Sequence, residues 1–131
     1  MAEHPDVTLV KNGYAAFNRG DMDALRGMLT TDCVHHVPGL HQLSGHHKGV
    51  DACLDYYMKM GMMTDGTMKV ELQSVMPDGR GHAISVHRIT ATREGRSIDT
   101  LGSLFFTIVG GKMSDIDECV EDLDLGNEFW G

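Results

Sequence analysis

At 131 residues and a formal charge of −8 with histidines neutral, the chain fits one domain with one real core. Its basic residues are scattered rather than clustered, which excludes a nucleic-acid or anionic-membrane surface. No run approaches the ~18 apolar residues of a membrane span, MAEHPDVT lacks a signal peptide's basic and apolar regions, and the widely spaced Cys33, Cys53 and Cys119 read as reduced, buried thiols of a cytoplasmic protein.

Pro5-Asp6 opens a first helix, along which Val7, Val10, Tyr14 and Phe17 form an apolar stripe. Gly20 suits a left-handed cap at its end. Asp21 caps a short second helix whose apolar face is Met22, Leu25, Met28 and Leu29. A short strand, Cys33–Val37, leads to a Pro38-Gly39 turn, a loop, and a glycine-bounded turn at Gly45 and Gly49. A third helix runs from Gly49 to about Met62, with Val50, Cys53, Leu54, Tyr57 and Met58 on one side. The methionines crowded at its end suit either flexible core packing or an adaptable pocket wall. After Gly66 the period changes to two. Strands are predicted over Thr67–Met76, His82–Arg93, Ser97–Val109 and Lys112–Asp122, joined by Pro77-Asp78-Gly79, Glu94-Gly95 and Gly110-Gly111 turns. Four long strands in an antiparallel meander, with helices gathered ahead of them, make an α+β chain. The tail, Leu123–Gly131, carries Trp130 beside Phe129 and is expected to fold back as a plug or a subunit contact.

Asp32–Gly49 holds five of the eight histidines. Strand alternation puts Val34 and His36 on one face and Cys33, His35 and Val37 on the other. His36 is read as the inward one, and His35 as facing solvent or a neighbouring subunit. His41, His46 and His47 fall in a loop over the pocket mouth. A metal is not expected here, since no H-x-x-x-H pair sits on a helix and no CxxC occurs. On the last strand Asp115, Asp117, Cys119 and Glu121 share one face, and Ile116, Glu118, Val120 and Asp122 the other. His87 shares a face with Ala83, Ser85 and Ile89, as a polar pocket group or a structural cross-strand histidine. Asp99 and Arg93 bracket a hairpin and are placed to pair.

The element order, the phrase AAFNRGDMDALRGMLTTD, and the pieces VPGLHQLSGHHKG, TATREGRSIDT, GGKMSDIDE and NEFWG together resemble the NTF2-like superfamily. The chain is most similar to its SnoaL-like branch, near ketosteroid isomerases and polyketide cyclases. The resemblance implies one domain over 1–131, a cone in which three N-terminal helices pack in the concave side of a curved, mostly antiparallel sheet. Anchoring on Gly39 and Ser44-Gly45 puts His36 at the isomerase base position. The isomerase's two oxyanion donors fall on Gly13, beside Tyr14, and on Ser103, with Asp99 on the same strand face. The cyclase acid/base position, counted from Gly111-Lys112, is Glu118. His36 and Glu118 are thus the expected catalytic pair. Tyr14, Val34, Tyr57, His87, Asp99, Ser103, Ile116, Val120 and Trp130 are the expected substrate-binding set.

Such a pair moves protons as general acid and base. The implied activity is cofactor-independent cyclisation, isomerisation or dehydration of a hydrophobic small molecule, with no metal. The alternative is a non-catalytic binding or dimerisation module of the same fold. The resemblance also implies a homodimer through the outer face of the sheet, with Leu104, Phe106 and Ile108 as its apolar set.

Overall fold

A computed structural model describes residues 2–131 of the chain. Its elements are α1 (Pro5–Asn18), α2 (Met22–Met28), β1 (Leu29–Val37), β2 (Gly45–Lys48), α3 (Val50–Met63), β3 (Lys69–Pro77), β4 (His82–Arg93), β5 (Arg96–Val109), β6 (Lys112–Val120) and α4 (Leu123–Trp130). Local chemistry explains the helix starts. His4 accepts a hydrogen bond from the Asp6 amide ahead of Pro5, Asp21 from Ala24, and Asp122 from Leu125.

The six strands form one curved, open sheet in the order β2-β1-β6-β5-β4-β3. Neighbours run antiparallel except β1 and β6, which are parallel and pair His35 with Ile116 and His36 with Asp117. The four-strand meander therefore stands as expected, with the first strand docked against its last member. A bulge at Ser114 shifts the register between Thr107 and Ile108. It lets Met113 and Ile116 both point inward, and sets Ile116, Glu118 and Val120 on the concave side.

The core lies between that concave side and the helices. Val10, Tyr14 and Ala16 of α1 and Cys53, Leu54, Tyr56, Tyr57 and Met60 of α3 are buried there. Among the described residues no helix is long and apolar enough to cross a membrane.

Five details differ from the sequence reading. Hydrogen bonding in β1 begins at Leu29 rather than Cys33, and the Gly45–Lys48 turn is a short edge strand. The tail is a fourth helix, whose Phe129 and Trp130 bury against the core. Phe106 and Ile108 point inward with Leu104, and the outer apolar residues of β4 and β5 include Ile84, Leu101 and Phe105 instead. Cys33 and Cys53 are buried, but Cys119 lies on the outer row of β6 and is exposed.

Candidate active site

The sheet and helices α1, α3 and α4 enclose a cavity of about 120 Å³, counted as space open to the centre of a water molecule. One water needs only about 10–15 Å³ on that measure, so the space suits an organic molecule. Its walls are mostly apolar, with Leu25, Ile98, Phe106 and Met113 among them.

The polar floor is built by two neighbouring strands and one helix. His35 of β1 and Glu118 of β6 stand on the same face, and His35 Nε2 lies 2.9 Å from Glu118 Oε1. A carboxylate only accepts, so Nε2–H donates and Nδ1 is left to accept from the Tyr57 hydroxyl at 2.8 Å. Tyr56, next to Tyr57 on α3, donates to the same Glu118 oxygen at 3.2 Å. The two tyrosine rings clasp His35 edge-on, with centroids at 5.1 and 5.5 Å, and His47 stacks on Tyr56. His35 is only 3% exposed, so its orientation is fixed from all sides. Glu118 Oε2 makes no hydrogen bond to the described residues and remains for a ligand.

A second network crosses the cavity. The Tyr14 hydroxyl lies 2.7 Å from Ser85 Oγ and 2.5 Å from His87 Nδ1. Among the described residues the only other bond of Ser85 Oγ, to the Leu104 carbonyl, is long at 3.5 Å. The relay that satisfies the groups best runs from Ser85 to Tyr14 to His87 Nδ1, which leaves the His87 proton on Nε2. Gly102 faces this ring. A Cβ there would stand 2.5 Å from His87 Nε2, so only glycine leaves room for the imidazole. Nearby, Thr100 lines the cavity and its buried hydroxyl has no partner among the described residues.

Electrostatics single out Glu118. Burial lowers the pKa of the His87 imidazole, and that of the half-buried His41 shifts the same way. Burial pushes the Tyr14, Tyr56 and Tyr57 hydroxyls well above the usual phenol range. The charge of Glu118 acts on all five groups, raising the three tyrosines further and opposing the fall of the two histidines.

Of the residues expected from sequence, Glu118, Tyr14, Tyr57, His87, Ile116, Val120 and Trp130 line the cavity. Four do not. His36 is turned to the outer face, where it contacts Asp115 and His46, because α3 packs on the Cys33–His35–Val37 side of β1. Val34 shares the outer face. Asp99 and Ser103 also point outward, since Thr100, Gly102 and Leu104 take the inner row of β5; Asp99 pairs with Arg88 there, and not with Arg93. Sequence reasoning missed His35, Tyr56, Ser85 and Thr100 as parts of the site, and placed His41 only at its mouth. The apolar partners Cys33 and Val37 on its own face were the available signal for His35.

Comparisons with known proteins agree with this architecture. The family model of the SnoaL-like domain matches residues 10–116. An uncharacterized Mycobacterium tuberculosis protein, Rv0034, is 33% identical over 130 residues, covering 99% of each chain. The structure of Bal32a, from a soil-derived mobile gene cassette, is 35% identical, covers 97% of both chains and superposes with a TM-score of 0.95. TerC, co-crystallized with polyporic acid, shares the fold at a TM-score of 0.84 and 15% identity, covering 96% of this chain and 98% of its own. With a family model spanning most of its length and a relative of this identity matched end to end, the chain belongs to the SnoaL-like domain family, and its fold is NTF2-like.

Proposed function

We propose that the protein is an enzyme performing cofactor-independent acid/base chemistry on a hydrophobic small molecule, in a cyclisation, isomerisation or dehydration. The observation that carries this reading is the part-buried Glu118–His35 contact on the floor of a mostly apolar cavity. Glu118 replaces His36 as the proton-transferring group, and His35 is a positioning residue, since both its ring nitrogens are engaged within the protein. One carboxylate oxygen is held by His35 and Tyr56, and the other faces the ligand. That oxygen takes a proton from an acidic C–H and returns it elsewhere on the same molecule. His87 Nε2–H, across the cavity, donates to a polar atom of the ligand. A positioned general base of this kind contributes about 10²–10⁴-fold in rate. The fold's use in TerC, co-crystallized with polyporic acid, supports a cavity for such compounds.

The test uses 5-nitrobenzisoxazole, whose ring opens to a coloured phenolate when a base removes its C–H proton. The wild-type chain is expected to accelerate this opening, and Glu118→Gln to lose about 10²-fold or more of it. Equal rates for the two proteins reject Glu118 as a base. One observation favours the non-catalytic alternative: the engaged nitrogens of His35 leave a single free carboxylate oxygen. A module of that kind binds the probe without opening it. In either reading the proposed partner is a second copy of the chain, meeting the outer apolar residues Ile84, Leu101 and Phe105.

A further inference from the structure

The outer face of β1 and β6 carries a second cluster, back to back with the cavity pair. His36 Nε2 lies 2.8 Å from Asp115 Oδ1 and 3.9 Å from Asp117 Oδ1, and the three ligand atoms fall within 4.8 Å of one another. We propose that His36, Asp115 and Asp117 form a binding site for a divalent first-row metal ion, zinc foremost, which clasps β1 to β6 behind the cavity.

Ligand chemistry and spacing fit. Zinc takes imidazole nitrogen and carboxylate oxygen at about 2.0–2.2 Å, so donors around a tetrahedral ion stand about 3.4 Å apart. The observed 2.8 and 3.9 Å bracket that value, and small side-chain rotations close the rest. The donors sit on paired strands, with His36 opposite Asp117 in the parallel register, so the backbone holds them in place. All three are partly open to solvent, which leaves an entry path and room for water as a further ligand.

Charge points the same way. Two carboxylates converge on one imidazole, so the triangle stays net negative even when His36 is protonated. Lys48 and Asp115 both lie opposite Val34, on the two strands that flank β1. An independent feature orients the histidine from behind. His46 of β2 places its Nδ1 2.6 Å from His36 Nδ1. With an ion on Nε2, the His36 proton moves to Nδ1 and donates to His46, the outer-shell arrangement that metal-bound histidines need. An imidazole in the set selects zinc over magnesium, which prefers oxygen alone.

The test is calorimetric titration of the metal-free protein with Zn²⁺ near pH 7.5, with Mg²⁺ as control. Expected are one saturable equivalent of zinc, no magnesium binding, and a thermal midpoint that rises with zinc. His36→Ala and Asp117→Asn are each expected to abolish that binding, and His46→Ala to weaken it roughly tenfold. Asp117 is the more exposed, so its variant stays folded if His36→Ala does not. No saturable binding up to about 1 mM zinc overturns the proposal. So does wild-type affinity in Asp117→Asn, which shows an adventitious ion only, held by another histidine or by Cys119. The benzisoxazole assay is independent of this result, because Glu118 lies on the opposite face.

Discussion

Thr100 is 6% exposed and its hydroxyl is unpartnered, so the folded chain carries a desolvated polar atom at the cavity wall. An unmet buried group of this kind costs about 1–3 kcal/mol. Replacing it by the isosteric valine is expected to raise stability by about 1 kcal/mol in urea unfolding. The same change should weaken binding of ligands that present a hydroxyl or carbonyl there, and leave hydrocarbon ligands unaffected. A loss of stability would show that Thr100 has a partner after all. At this scale the sequence is legible in parity but not in direction. Cys33-Val34-His35-His36-Val37 offers a histidine and a valine on each face, and only Cys33 tips the balance toward the His35 side. What decides is the docking of Tyr56 and Tyr57 from α3 on the Cys33 side, a contact between residues more than twenty positions apart. On β6 the alternation alone sufficed, because Ile116 and Val120 flank Glu118 while only Asp115, Asp117 and Cys119 occupy the other face.

Helix α4 shows how an eight-residue element is held at the cavity mouth. Its last carbonyls lack helical partners. Arg93 from β4 donates to the carbonyls of Phe129 and Gly131, at 3.1 and 2.9 Å, and Arg96 from β5 to that of Glu128 at 2.8 Å. Two guanidinium groups thus meet the negative end of the helix dipole. Further toward its start, Asn127 accepts from the Leu40 amide at 2.7 Å, a close approach that Gly39 permits: a Cβ there would stand 2.7 Å from the same oxygen. Arg93→Ala is expected to destabilise the chain by about 1.5–3 kcal/mol, the range for bonds to charged groups. Amide exchange should accelerate in α4 and not in β5. Uniform acceleration would mean that α4 does not open separately. The tail's short length hid this helix from the sequence, since eight residues interrupted by Gly126 span too few turns to fix a period.

For the whole molecule, pH dependence follows from what the core buries. The lowered pKa of His87 means that the unfolded chain binds a proton before the folded one does, so stability falls as pH drops below about 6.5. His41 adds in the same direction. The raised tyrosine pKa values act at the other end: the unfolded chain ionises first, and stability falls as pH rises past about 10. Thermal midpoints across pH should therefore form a plateau with two falling limbs, and His87→Gln should flatten the acid one. An acid limb unchanged in that variant would assign it to other groups. The overall architecture was legible because four strands with tight turns leave few alternatives to a meander. The parallel pairing of β1 with β6 was not, since no local pattern reports which distant strand fills an open edge. The one tryptophan of the chain, at position 130, stands in the wall of the cavity. Its indole is therefore an intrinsic fluorophore for occupancy, and unlabelled compound libraries can be screened by emission alone, before any substrate is known.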